Sequence, residues 1–326
     1  MRNIAAALAA LIAAAGLAAC GSSSSSDTSS SKPTSSASSG STGQVIQSNP
    51  ANKKVTVTIG SKNFTEEFIL GNIYAQALKA AGYNVKTQLN LGSEQIALKA
   101  LKSGQIDAYP EYTGTALTSF FKVKTTSIPT DPAKAYDQAK ADFAQQGLTA
   151  LPPTPFTDSN AVAVTQATAK KLGIKNISDL KSKASTITLA GTPECRQRQD
   201  CLLGLQQVYG LKFKSFTPVD PSLRHEVLQK GQADASIVFT TDGQIKANKE
   251  VLLNDDKNIF PPYNITMVVN DKVLQKAGPD FAKTIALVQK GMTTPVLQEL
   301  NSRVDLDKQK PAAVATEYLR ESGYTK

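Results

Sequence analysis

The chain has no tryptophan, a single histidine (His225) and three cysteines among its 326 residues. That scarcity removes most catalytic apparatus. Cys195 and Cys201 have no histidine or further cysteine beside them, so a zinc ligand set is not expected. His225 lies on an amphipathic helix whose stripe includes Leu223, Val227 and Leu228, and no serine elbow accompanies it. It is expected at the solvent edge. The C-x-x-C, phosphate-loop and dinucleotide fingerprints are absent as well, and no metal or cofactor is expected. Basic residues exceed acidic ones by a formal +9, yet no dense Lys/Arg block occurs, which argues against a nucleic-acid partner. Beyond the first twenty residues no apolar run approaches the ~18 that a membrane span requires. The sequence offers positioning groups and no reaction centre.

What is present begins with a leader. Met1-Arg2-Asn3 is a short positive head, and Ile4 to Ala19 is a run of small and apolar residues. Leu17-Ala18-Ala19-Cys20-Gly21 resembles the bacterial lipoprotein signal, which implies cleavage before Cys20 and a lipid anchor on its thiol. Residues 1–20 are therefore set apart from the fold. Residues 21–52 are almost all Ser, Thr, Gly, Ala and Gln at first, too polar to offset their ordering entropy, and are expected to form a disordered tether. In an exported chain, Cys195 and Cys201 can close a small loop, and a disulfide is expected between them.

The stretch Leu101-Lys102-Ser103-Gly104-Gln105-Ile106-Asp107-Ala108, continuing to Tyr112-Thr113-Gly114-Thr115, recurs in weaker form. The second copy runs Leu228-Gln229-Lys230-Gly231-Gln232-Ala233-Asp234-Ala235 and ends Phe239-Thr240-Thr241-Asp242. A shift of 127 positions, 101 to 228, aligns the two without a gap. Each reads as a helix end, a Gly stop, a short strand, then an aromatic followed by hydroxyl residues. Two lobes of like construction, each presenting a ring and free polar groups to a shared gap, are the expected result.

Periodicity supports this. Val55–Gly60, Tyr83–Leu89 and Ile106–Tyr109 read as strands, with helices over Glu66–Ala81 and Gln95–Lys102 between them. Phe68, Ile69, Ile73, Ala77 and Ala80 form the stripe of the first helix, and Glu66 and Glu67 suit its positive end. Such β-α-β units open an α/β sheet whose ligands sit at the carboxyl ends of the strands, near Ser61-Lys62 and Tyr112-Thr113. The prolines at 152, 153 and 155, and Phe260-Pro261-Pro262-Tyr263, mark two crossings between lobes. Residues 53–155 and 261–326 are assigned to lobe 1 and 156–260 to lobe 2. Tyr74, Tyr83, Tyr109 and Tyr209 read as packing residues.

Gly60-Ser61-Lys62-Asn63-Phe64-Thr65-Glu66, Glu111-Tyr112-Thr113-Gly114-Thr115 and Phe260-Pro261-Pro262-Tyr263, in that order, resemble the substrate-binding proteins of osmoprotectant ABC importers. The similarity runs from about Val55 to the C-terminus. It implies a type II periplasmic-binding-protein fold, two α/β lobes joined by a two-crossing hinge, and a cargo such as glycine betaine or choline. That family surrounds a quaternary ammonium with aromatic rings, because a fully alkylated cation cannot donate hydrogen bonds. By resemblance Tyr112 and Tyr263 form two walls. Phe239 stands where another tyrosine is usual, and Asn160 where a fourth is often found, leaving an open wall. The backbone at Asp158 can lend a carbonyl to the cation.

The same resemblance assigns Lys62, Thr115 and Arg198 to a ligand carboxylate, with Arg198 contributed by the opposite lobe. Their joint presence favours a betaine over plain choline. The expected protein is an extracytoplasmic, lipid-anchored monomer that delivers a betaine-like quaternary amine to an ABC permease and is not an enzyme. Choline, carnitine, ergothioneine or another small zwitterion as cargo, and an exported enzyme of the cell envelope, are the alternatives.

Overall fold

The structure, a computed structural model, describes residues 44–326. The leader, the Cys20 anchor and the tether as far as residue 43 lie outside them. The chain first lays down β1 (Thr56–Gly60), α1 (Thr65–Ala80), β2 (Asn84–Gln88), α2 (Glu94–Ser103), β3 (Ala108–Tyr112), α3 (Thr113–Thr115), α4 (Pro132–Ala144) and β4 (Leu148–Ala150). It then builds β5 (Asn160–Val164), α5 (Gln166–Leu172), β6 (Thr188–Gly191), α6 (Leu202–Gln207), β7 (Ser215–Pro218), α7 (Arg224–Gln229), β8 (Ala235–Phe239), α8 (Gln244–Ala247) and β9 (Val251–Leu253). It closes with β10 (Ile265–Asn270), α9 (Asp271–Ala277), α10 (Pro279–Gln289), α11 (Thr294–Asp305) and α12 (Pro311–Glu321). Pro132, Pro279 and Pro311 each open a helix at its first position, where a missing N–H costs nothing.

Among the described residues, ten strands form two five-stranded sheets of the same wiring, β2-β1-β3-β10-β4 and β7-β6-β8-β5-β9. In each, three strands are parallel, and a fourth enters antiparallel beside the last of them. That fourth strand, β10 in the first sheet and β5 in the second, is the one that follows a passage from the other lobe. The two passages run side by side. Thr157 pairs with Asn264 in an antiparallel bridge, and Asp158 N–H donates to the Tyr263 carbonyl at 3.2 Å.

The repeated stretch has a structural cause. Gly104 and Gly231 stop α2 and α7 with φ of 76° and 66°, a left-handed turn that favours glycine. The aspartates three residues on each grip the neighbouring strand. Thr58 N–H donates to Asp107 Oδ2 at 2.7 Å, and Thr188 N–H donates to Asp234 Oδ2 at 2.8 Å. The return bonds, Asp107 N–H to Thr58 O at 2.8 Å and Asp234 N–H to Thr188 O at 2.9 Å, complete each clamp. This places Tyr112 and Phe239 as equivalent last residues of β3 and β8.

Several expectations need correction. The tether does not extend to residue 52. Ile46 N–H donates to Tyr324 O at 2.9 Å, Asn49 Nδ2 to Asp280 at 2.8 Å, and Asn52 Nδ2 to Ala81 O at 2.9 Å. Asn49 and Asn52 anchor this segment through their side-chain amides, and Pro50–Lys54 forms a 3-10 turn. Helix α1 is buried on most of its circumference, including Leu70, Tyr74 and Leu78, because α10, α11 and α12 cover the side turned away from the sheet. Phe68 is only half-buried, whereas Glu66 and Glu67, which suit the positive end of the helix, are buried. Strand β3 runs three residues further than the expected end at Tyr109, and α9 follows β10 without a sequence signal having been read for it.

His225 is the largest departure. It is 4% exposed, with Nδ1 2.8 Å from Glu250 Oε2 and Nε2 2.9 Å from Asp242 Oδ2. Asp242 also receives Arg224 at 2.6 Å and Phe239 N–H at 2.8 Å, so this buried cluster fixes the end of β8. Burial alone would depress the imidazole, but its bonds to Asp242 and Glu250 outweigh that and raise it to about 8, against the nearby charge of Arg224. Its contribution to stability is therefore complete below the unfolded value near ~6.5 and fades as the pH climbs through about 8. Urea unfolding of the native chain should lose about 2 kcal/mol between slightly acid and distinctly alkaline pH beyond what His225→Gln loses. Parallel curves for the two chains would refute the assignment.

Candidate functional site

The carboxyl ends of the parallel strands in both sheets, and the leading ends of the two antiparallel strands, point into one gap. β1 is followed there by Lys62, Asn63 and Phe64; β3 ends in Tyr112; β6 is followed by Thr192; β8 ends in Phe239. β5 starts with Asn160, and Tyr263 lies just ahead of β10. All eight residues singled out from the sequence, Lys62, Tyr112, Thr115, Asp158, Asn160, Arg198, Phe239 and Tyr263, line the resulting cavity.

One part of the cavity is aromatic. Phe64 stands between the lobes, with its ring 6.0 Å from Tyr112 and 5.2 Å from Phe239. It belongs to the Gly60–Glu66 motif, but sequence reasoning gave it no role, since a phenylalanine after a strand looks like core. Tyr112 is fixed by its hydroxyl, which donates to Glu66 Oε1 at 2.8 Å. Phe239 is stacked on one face by the Arg224 guanidinium, 3.8 Å from the ring centroid. Tyr263 fits only because residue 114 is glycine; a Cβ there would stand 2.8 Å from two of its ring carbons. Asn160 is not an open wall. Its Nδ2 donates to the Tyr263 hydroxyl at 3.0 Å and to the Asp200 carbonyl at 3.1 Å, locking the ring beside it.

The rest is charged. Lys62 is 4% exposed and donates to Glu111 Oε1 at 2.5 Å, with Glu67 Oε1 at 3.5 Å. Burial works against its charge, but the attraction of Glu111 and Glu67 prevails and raises its pKa. Its ammonium lies 4.4 Å from the Tyr112 centroid. Glu67 is pushed up to about 8 by burial, with Lys62 opposing and Glu111 adding to the rise. Glu111 also holds the Tyr109 hydroxyl at 2.8 Å.

Arg198 is gripped along one edge by Asp200, Nε to Oδ1 at 2.9 Å and Nη2 to Oδ2 at 2.5 Å. Its other edge faces Thr115 Oγ1 at 3.4 Å and Glu94 Oε1 at 3.8 Å across the gap. Asp200 in turn accepts the Tyr263 hydroxyl at 2.5 Å. Burial would raise the Asp200 carboxyl, and Arg198 more than reverses this. Among the described residues Asp158 has no cation paired with it. Burial, with the nearby charges of Glu66 and Asp242, holds it well above the usual carboxylate range. Cys195 and Cys201 are joined, with Cα atoms 5.1 Å apart, and Arg198 lies in the loop they close. Of the supporting acids, the sequence marks Glu66 and Glu67 only as suiting a helix end, and Glu66 and Glu111 only as members of the motifs, while Glu94 and Asp200 are not picked out in it.

Known proteins resemble this chain over most of its length. Residues 55–321 match the model of the family described as the substrate binding domain of ABC-type glycine betaine transport systems. The chain is 36% identical over 277 residues to a glycine-betaine-binding protein of Pseudomonas aeruginosa, covering 82% of this chain and 88% of that one. It is 29% identical over 277 residues to the carnitine transport binding protein OpuCC of Listeria monocytogenes, covering 84% and 89%. Among solved structures, a glycine betaine/carnitine/choline ABC transporter protein superimposes with a TM-score of 0.65 at 28% identity, covering 81% of this chain and 98% of that one. The chain belongs to the family of substrate-binding domains of ABC-type glycine betaine transport systems.

Proposed function

We propose that the protein captures a glycine betaine-like quaternary amine between its two lobes and hands it to an ABC permease from the outer side of the membrane. The observation that carries this reading is the convergence of Phe64, Tyr112, Phe239 and Tyr263 on one cavity. Ring faces are the best partners for a nitrogen that has no hydrogen to donate. The charges agree with it. Glu94, Asp158 and Glu194 line the cavity opposite Lys62 and Arg198, and Asp158, which burial and its acidic neighbours push toward the neutral form, regains its charge beside a positive guest. Asp158 stands ready to lend its oxygen atoms to the cation.

For the other end of a betaine, the free edge of Arg198 and the Thr115 hydroxyl are the primary partners. Lys62, already matched by Glu111, acts chiefly by holding Tyr112 and adding positive potential. Arg198 belongs to one lobe and Thr115 to the other, so a carboxylate between them favours closure about the paired passages at Thr157 and Asn264. The protein acts as a lipid-anchored monomer, attached through Cys20. Among the described residues no helix is long and apolar enough to cross a membrane.

By calorimetric titration, Tyr112→Leu should weaken glycine betaine binding by roughly 1–2 kcal/mol, the scale of a desolvated cation–π contact; unchanged affinity would count against the aromatic enclosure. Arg198→Ala should weaken glycine betaine at least about tenfold while sparing tetramethylammonium, which has no carboxylate. Equal losses for both would mean that Arg198 supports the fold alone. Cys20→Ser should move the protein from the membrane fraction to the soluble fraction of fractionated cells, and persistence on the membrane would exclude the lipid anchor.

A further inference from the structure

Besides the paired passages, the two lobes meet at a second seam, where α11 of the first lobe faces the segment that follows β8 in the second. Gln298 Nε2 donates to the Thr240 carbonyl at 2.9 Å, and Gln244 Nε2 donates to Asp305 Oδ2 at 2.9 Å. The approach is close because residue 243 is glycine; a Cβ there would collide with Ser302 Oγ and stand 3.0 Å from the Gln298 carbonyl oxygen. α11 itself is anchored in the first lobe, with Leu297 and Leu300 in its core. At the centre of the seam lies Asn301, 1% exposed. Its Nδ2 carries two hydrogens and gives one to each lobe, donating to Glu66 Oε2 at 3.1 Å and to the Thr241 carbonyl at 3.0 Å.

Both recipients lead into the cavity. Glu66 Oε1 accepts the Tyr112 hydroxyl at 2.8 Å, so a ring of the aromatic enclosure is two hydrogen bonds away from Asn301. Thr241 follows Phe239 by two residues, and its N–H donates to Asp158 Oδ1 at 3.2 Å. The seam is not self-sufficient. Among the described residues Asn301 Oδ1 is buried without a partner, and a polar atom taken from water unpaired opposes closure. A filled cavity has to supply what the seam lacks. We infer that Asn301 is a positioning residue that ties the Tyr112 ring, through Glu66, to the second lobe at Thr241, so that a seated cargo holds the lobes shut and its release waits on this amide. The inference rests on the reading of the cavity as a quaternary-ammonium site, and adds to it a residue outside the cavity lining.

The test uses the purified full chain, native and as Asn301→Ala, Tyr112→Phe, Gln298→Ala and the two double variants that carry Tyr112→Phe. The readouts are stopped-flow release of glycine betaine and the radius of gyration from small-angle X-ray scattering, with and without glycine betaine. Asn301→Ala should release glycine betaine at least about tenfold faster, the scale of a lost hydrogen bond to a charged group, with arrival within about twofold of native. It should also compact less at saturating glycine betaine. Tyr112→Phe keeps the ring, loses only the hydroxyl, and should speed release in the same direction. Joined to Asn301→Ala it should add little, because both cut one chain of bonds. Joined to Gln298→Ala, whose amide is bonded to Thr240 instead, the two factors should multiply. Native-like release by Asn301→Ala or Tyr112→Phe, or factors that multiply between these two, would overturn the inference and leave the aromatic enclosure standing. Tyr112→Phe leaves every group on α11 in place, so it decides the matter even where Asn301→Ala does not fold. A native chain that fails to bind glycine betaine would instead remove the quaternary-ammonium reading, and the coupling through Asn301 with it.

Discussion

The cleft depends on one buried carboxylate. Asp200 accepts both donors along one edge of Arg198 and the hydroxyl of Tyr263, while its own carbonyl takes the amide of Asn160. A carboxylate fully removed from water is tenable only with its charge matched and its lone pairs used, and here both conditions are met. In meeting them it orients a guanidinium, a ring and an amide at once. The ring precedes the strand that re-enters the first lobe, and the guanidinium comes from the second. The same bonds that satisfy Asp200 therefore hold the two lobes' contributions in register.

Around it the site repeats a theme of cations already spoken for. Lys62 is held by Glu111 and Glu67, Arg198 by Asp200, Arg224 by Asp242. Each pair fixes an aromatic neighbour, Lys62 against Tyr112, Asp200 with Tyr263 and Arg224 against Phe239. Positive side chains thus serve as supports for rings more than as free attractants. Asp158, which accepts no cation among the described residues, is held toward its neutral form, and a cavity of rings beside such an acid suits a guest that is positive and cannot hydrogen-bond through its charge.

The internal duplication explains how so few elements assemble this. Asp107 and Asp234 each clamp a neighbouring strand by the same reciprocal pair of bonds, so that Tyr112 and Phe239 arrive at equivalent strand ends in two separate sheets. Chain crossing then supplies the antiparallel strands β5 and β10, whose leading ends bring Asn160 and Tyr263 to the same place.

Local patterns determined much by themselves. Alternation and helical stripes set most of the strands and helices, the glycines at 104 and 231 set the two turns, and the repeat of Leu101–Thr115 announced two lobes, because these depend on neighbours a few residues apart. The resemblance of three short motifs was enough to gather the eight cavity-lining positions. Tertiary structure alone decided the rest. Nothing adjacent in sequence encloses His225; the distant Asp242 and Glu250 side chains do so, turning a residue read as solvent-edge into a buried partner, and α10, α11 and α12 likewise cover the helix that carries Glu66 and Glu67. Phe64 and Glu94 acquired their places in the cavity only when the ends of separate strands and helices met. Polarity along a chain reports what a side chain prefers, whereas its role depends on which remote groups share its desolvated space.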